Sequence, residues 1–259
     1  MMDRIGQAFE NKKAFIAFIT GGDPDIETTG KLILGMAEAG ADLIEIGVPF
    51  SDPIAEGPVI QEASERALAS GCTTDLLFDL VSGLRAVIQI PLIFMTYYNP
   101  VFVYGREKFL ERCKSSGIDG VIIPDLPFEE KNEIEDFCLA SGVTFISMIS
   151  PSSDERIAMI AREARGFLYC VSSMGVTGVR EEIKTDLAAM INRVKAVSSV
   201  PCAVGFGIST PEQARSISSL AGGVIVGSAI VKLVAEYGRD CLPHVKGYVA
   251  EMKKAIGSL

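Results

Sequence analysis

The chain has 259 residues, 48% of them hydrophobic and 22% charged, with 24 Lys and Arg against 33 Asp and Glu for a formal net charge of −9. That composition excludes a disordered or fibrous chain, and the negative charge excludes general affinity for nucleic acid or an anionic membrane surface. A single histidine, His244, argues against a His-rich metal centre, so no metal is expected. Six scattered cysteines without a C-x-x-C pair, and an opening MMDRIGQAFENKK without an apolar leader, predict a cytoplasmic protein with reduced thiols.

In chain order, DRIGQAFEN predicts a short extra helix that covers the bottom of whatever follows. Eight short apolar runs then alternate with longer stretches of helical spacing, the pattern of parallel strands covered by helices. They are AFIAFIT from Ala14, DLIEIGV from Asp42, PLIFMT from Pro91, GVIIP from Gly120, VTFISMI from Val143, GFLYCV from Gly166, PCAVGF from Pro201 and GVIVG from Gly223. After the first run, IETTGKLILGMAEAG repeats Leu32, Met36 and Ala39 on one face before a capping Gly40. Eight strand-helix units without a linker or composition shift predict α/β architecture, a single-domain (β/α)8 TIM barrel over residues 1–259. Two connections are oversized: Pro49 through a helix at Val59 to Ser70 and a second helix near Thr74 to Gln89, and SSMGVTGVREEIKTD after the sixth strand. In a barrel the loops after the strands carry the chemistry.

The second strand is the most informative. Alternation puts Leu43, Glu45 and Gly47 on one side and Ile44 and Ile46 on the other, so Glu45 is predicted to face the barrel interior. Burial raises a carboxyl pKa, as a group cycling between acid and base requires. The same position also suits a glutamate satisfied by an interior hydrogen bond or ion pair, but charged residues are rarely left there without cause. Asp52 and Glu56, in the Pro- and Gly-punctuated SDPIAEGP loop, are either functional or plain solvated acids. Thr177 in GVTG offers a hydroxyl to orient one of them.

GFGIST (Gly205–Thr210) and GSAIV (Gly227–Val231) place glycines between strand ends and helix starts, where free amides bind anions. This is the usual phosphate site of a barrel, with Gly178 as a third wall. No Lys or Arg is expected beside it, which leaves backbone amides to hold the phosphate. No lysine lies in a strand run or at a strand end, so Schiff-base chemistry has no candidate. What remains is carboxylate acid-base work on a phosphorylated substrate with an apolar part, which Phe18, Ile60, Leu92, Tyr97, Ile122, Phe145, Tyr169 and Phe206 are placed to line.

EIGVPFSDPIAEGPVIQ, MTYYNP, IIPDLP, SSMGVTG, GFGIS and GSAIV together resemble, essentially end to end, the tryptophan synthase alpha subunit family. The resemblance implies a barrel that cleaves indole-3-glycerol phosphate to indole and glyceraldehyde 3-phosphate in tryptophan biosynthesis, without a cofactor of its own. It assigns Glu45 as the catalytic glutamate and Glu56 as the second catalytic acid, although the familiar family pattern reads ADGP where this chain reads AEGP. The extra methylene requires the loop to re-fit the carboxylate's reach. Thr177 matches the threonine that bonds the second acid, Tyr169 a tyrosine near the catalytic glutamate, and Phe18 the residue that packs the indole. Gly178, Gly207, Gly227 and Ser228 match the phosphate cradle. Ser173 and Met174 stand where many members carry Arg, so closure of the sixth loop is expected to be tuned differently.

The implied partner is a pyridoxal-phosphate beta subunit in an alpha2-beta2 complex, docking near Asp52, Pro53 and Asp125 and receiving the indole. Two other roles share these residues: a freestanding indole-3-glycerol-phosphate lyase, and a weakly active phosphate-binding subunit that mainly activates the beta subunit. A sugar-phosphate isomerase or epimerase fits the fold alone, and the second-strand motif argues against it.

Overall fold

A computed structural model describes residues 3–171, 180–205 and 207–257, with the backbone alone for 180–186. Strands and helices alternate in the order α1 (Arg4–Phe9), β1 (Ala14–Thr20), α2 (Ile26–Glu38), β2 (Leu43–Gly47), α3 (Pro58–Ala69), α4 (Thr74–Leu84), β3 (Leu92–Met95), α5 (Tyr98–Tyr104), α6 (Arg106–Ser116) and β4 (Gly120–Ile122). The order continues with α7 (Asn132–Ser141), β5 (Thr144–Phe145), β6 (Met148–Ile149), α8 (Asp154–Glu163), β7 (Leu168–Val171), α9 (Arg180–Val197), β8 (Cys202–Gly205), α10 (Pro211–Ser218), β9 (Gly223–Val226), α11 (Ser228–Tyr237) and α12 (Leu242–Ile256).

All strand pairs are parallel, in the order β5-β4-β3-β2-β1-β9-β8-β7-β6. The two ends of that order are halves of a single run of chain. Within it, the Ile146 amide donates to the Val121 carbonyl at 2.9 Å and the Ser147 carbonyl accepts from the Tyr169 amide at 3.0 Å. The run VTFISMI, predicted as one strand, therefore hands over from one neighbour to the other at its middle, which closes the barrel and divides the fifth strand into β5 and β6. The other seven runs fold as predicted.

Alternation along the strands sorts the core into two layers. Phe15, Ala17, Ile19, Ile44, Ile46 and Phe94 face the helices. Ile16, Leu43, Ile93, Ile122, Ala203 and Ile225 fill the barrel interior, joined from below by Ile5 and Ala8 of α1. The N-terminal helix thus covers the barrel bottom as its sequence predicts, capped by the Asp3 side chain, which accepts the Gly6 amide at 2.7 Å. The first long connection holds two helices, α3 and α4, as expected. The second contains SSMGVTG, which lies outside the described residues. Among the described residues no helix is long and apolar enough to cross a membrane.

One ion cluster locks the ends of the chain together. The buried Asp42 accepts from Lys12 at 2.7 Å, from the Phe15 amide at 2.7 Å and from Lys253 of α12 at 2.5 Å. Removing one member of a buried network strands the others, so Asp42→Ala is expected to cost about 3 kcal/mol in a denaturant titration. An unchanged midpoint would show that α12 does not depend on this anchor.

Candidate functional site

The catalytic end of the barrel holds a cavity of about 610 Å³, in the range of small-molecule sites. Phe18, Ala55, Glu56, Gly57 and Ile60 line it together with Gly207, Ser209, Gly227, Ser228 and Lys232. Met95, Pro124, Met148, Tyr169 and Val171 complete the lining.

Glu45 sits on the inner face of β2, with Phe18 and Ile93 as its register partners. It is fully buried, and both carboxyl oxygens lack a hydrogen-bond partner. The interior hydrogen bond or ion pair that would make it a structural residue is therefore missing. Loss of solvation alone pushes its carboxyl up to about 8. Tyr169 on β7 is also buried, and its phenol is driven well above its ordinary value, first by burial and then by the adjacent Glu45 charge. Glu45 is not itself part of the cavity lining, whereas its neighbours Phe18 and Tyr169 are.

Glu56 reaches the cavity from the loop before α3. Gly57 forms the N-cap and Pro58 starts the helix, its missing N–H costing nothing there. The loop is pinned from both sides: the Tyr97 hydroxyl accepts the Ala55 amide at 3.0 Å, and Gln61 donates to the Glu56 carbonyl at 2.8 Å. Partial burial pushes the Glu56 carboxyl up to about 7. Asp52, five residues along from Gly47, is exposed and outside the cavity, and Pro53 is half-buried.

Beside Phe18, Gly227 is the N-cap of α11, and the amides of Ser228 and Ala229 begin the helix without an intrahelical acceptor. A Cβ at Gly227 would stand 3.2 Å from the Phe18 ring, so the close approach of β9 to β1 needs glycine. Gly207 adopts a left-handed φ of 76°, which glycine takes without strain.

Several sequence expectations need correction. The expected phosphate-binding glycine cluster is predicted to lack a cation, yet Lys232 lines the same cavity. It stands four residues after Ser228, hence on the same face of α11, and it makes no ion pair among the described residues. The i+4 spacing in GSAIVK was the available signal. Tyr97 does not line the cavity: it is 3% exposed, packs on Phe50 at 5.4 Å and holds the Glu56 loop from behind. Leu92 faces the helix layer, Ile122 packs into the barrel interior without lining the cavity, and Phe145 lines a neighbouring cavity of about 230 Å³. Asp125 is half-buried, and its carboxylate accepts the Tyr98 amide at 2.9 Å at the start of α5, so part of its function is local. Met95 and Met148, at inward positions of strand ends, were missed because a methionine there reads as ordinary core. Thr177, Gly178 and Phe206 lie outside the described residues.

Comparison with known proteins agrees with this arrangement. The sequence model of the family described as "Tryptophan synthase alpha chain" matches residues 6–257. The tryptophan synthase alpha chain of Caldanaerobacter subterraneus subsp. tengcongensis is 48% identical over 98% of this chain and 100% of its own. That of Lacticaseibacillus casei is 44% identical over 99% of this chain and 96% of its own. The crystal structure of tryptophan synthase subunit alpha from Legionella pneumophila superposes with a TM-score of 0.90 at 37% identity, each chain covered in full. A chain from the tryptophan synthase complex of Pyrococcus furiosus superposes with a TM-score of 0.84 at 36% identity, covering 93% of this chain and 98% of that one. On these matches the chain belongs to the tryptophan synthase alpha chain family, lyases that cleave indole-3-glycerol phosphate in the biosynthesis of tryptophan.

Proposed function

We propose that Glu45 and Glu56 perform the cleavage of indole-3-glycerol phosphate in the 610 Å³ cavity, with the phosphate held at Gly207, Gly227, Ser228 and Lys232. The observation that carries this reading is the fully buried, unpartnered Glu45 carboxyl beside an apolar cavity whose lining brings together Glu56, the N-terminus of α11 and Lys232. Neutral Glu45 gives its proton to indole C3 while ionised Glu56 draws on the N1 proton, which yields an indolenine. Glu45, now ionised, takes the proton of the glycerol hydroxyl beside the ring as the carbon-carbon bond breaks. Indole and glyceraldehyde 3-phosphate leave, and both carboxyls return to their starting states. Phe18, Ile60 and Tyr169 supply the apolar surface for the indole. Thr177 and Gly178, from the loop outside the described residues, complete the site in this reading. Incubation of the chain with indole-3-glycerol phosphate tests it, with free indole as the expected product and its absence as the contrary result.

Lys232 neutralises the phosphate alongside the amides. Its ammonium is exposed and salt-screened, so Lys232→Met is expected to raise KM about three- to tenfold with kcat nearly unchanged. An equal fall in kcat would place the lysine in the chemistry instead.

The partner in this proposal is a pyridoxal-phosphate beta subunit in an alpha2-beta2 complex, in a cytoplasm that keeps the six unpaired, buried thiols reduced. It docks on the catalytic face, where Asp52, Pro53 and Asp125 are joined by Ile54, Phe102 and Val103, which are 78%, 59% and 76% exposed. Adding the beta subunit is expected to accelerate indole release about tenfold or more, and Phe102→Asp to remove that acceleration while sparing the basal rate. Equal rates with and without the partner would contradict the docking.

A further inference from the structure

Among the described residues only two side chains bury polar atoms with no hydrogen-bond partner: Glu45, through both carboxyl oxygens, and Thr20, through its hydroxyl. They stand together. In the β1–β2 ladder Phe18 lies opposite Glu45 and Thr20 opposite Gly47. Thr20 shares the inward parity of Ile16 and Phe18, so it faces the barrel interior one inward position nearer the catalytic mouth than Glu45. Neighbouring strands lie about 5 Å apart and two residues advance a strand by about 7 Å, a diagonal that a glutamate arm and a threonine hydroxyl can span together.

The residue beside Thr20 on β2 is Gly47, over which the Phe18 ring leans: a Cβ on Gly47 would lie 2.7 Å from Phe18 Cζ. Glu45 is not part of the cavity lining, whereas its register partner Phe18 is, and Thr20 stands on the mouth side of both. Thr20 is 3% exposed and its hydroxyl is buried, so solvent does not satisfy it, and a buried donor without a partner is a cost that an ordinary strand position would shed by carrying valine.

We infer that Thr20 is the positioning residue for Glu45: its hydroxyl donates to the carboxylate when that side chain turns toward the cavity, and so holds the ionised form in place to reclaim the glycerol proton. This rests on the assignment of Glu45 as the proton shuttle. Of the other groups facing Glu45, Phe18 on β1 and Ile93 on β3 are apolar, and Tyr169 on β7 is the titratable group, among those described, whose own ionisation feels the Glu45 charge; its hydroxyl makes no hydrogen bond to Glu45 here.

The test compares Thr20→Val, nearly isosteric and without the donor, with Thr20→Ser, which restores it. In the valine variant kcat is expected to fall about tenfold or more, with KM within about twofold. The alkaline limb of its pH profile moves to higher pH because the ionised carboxylate has lost a donor, and the thermal midpoint holds or rises. Serine returns kcat and the limb toward the wild type. A purely structural threonine would leave kcat and the limb unmoved in Thr20→Val, and that result, or a serine variant as slow as the valine one, overturns the inference. If valine lowers the midpoint, Thr20→Ala is read on the same quantities against Thr20→Ser. Glu45→Gln is assayed in parallel: sustained turnover there removes the shuttle itself, whereas a dead Glu45→Gln with an unaltered Thr20→Val removes only Thr20.

Discussion

Glu45→Gln is expected to lower kcat by on the order of a thousandfold or more while substrate binding stays within a few-fold, because the amide keeps the shape of the side chain and cannot carry a proton both ways. Isothermal titration with substrate and a single-turnover assay separate the two effects. Turnover near that of the wild type would remove Glu45 from the mechanism. The same substitution carries a second signature. A glutamate in the unfolded chain ionises near its ordinary 4.5, whereas the folded one is held at about 8. Between those values the folded state binds a proton that the unfolded state has released, so stability declines as the pH rises from about 4.5 to about 8 and is level above that. Glu45→Gln lacks this slope. The variant should match the wild type in acid and exceed it by on the order of a few kcal/mol above pH 8, measured by denaturant titration across the window. A wild type that gains stability over that window would contradict the buried, partnerless carboxyl.

Glu56→Gln is expected to cost on the order of a hundredfold in kcat, a typical contribution of one positioned acid-base group. Burial holds Glu56 near 7 and Glu45 near 8, and the proposed mechanism requires Glu56 ionised with Glu45 protonated. Activity therefore falls on the acid side as Glu56 takes up its proton and on the alkaline side as Glu45 loses its own. The expected kcat/KM profile is a bell with its optimum between about 7 and about 8, its two limbs belonging to the pair rather than to either residue alone. In Glu56→Gln the acid limb should flatten while the alkaline limb stays. Glu56→Asp shortens the arm by one methylene. Because Tyr97 and Gln61 fix the loop on which it rides, the aspartate should recover only part of the rate. A Glu56→Gln variant with an intact acid limb would assign that limb to another group.

The strand runs were legible because burial on both faces of a parallel sheet demands short, nearly continuous hydrocarbon, and few other structures do. The exception, Thr144 to Ile149, read as one strand because its composition is uniform, while its division depends on which neighbour each amide meets across the barrel. Glu45 could be placed facing inward from period-two alternation alone. Its lack of any partner could not, since that depends on what seven other strands bring to the same depth.

Tyr97 shows the same limit from the other side: an aromatic residue at a strand end reads as ligand lining, yet here the hydroxyl goes to the Ala55 amide and the ring to Phe50. Lys232 is not evident from the strands and their ends, because one turn of helix carries it back to the cavity that Gly227 and Ser228 line. Local periodicity and glycine placement were thus sufficient for the barrel, the orientation of Glu45 and the glycines at the strand ends, because each is set by neighbours in the chain. Proton affinities, the unsatisfied Thr20 and the charge at the cavity rim were decided by the folded molecule alone. Solvation and hydrogen bonding are properties of what surrounds an atom, and that surrounding is assembled from residues far apart in sequence.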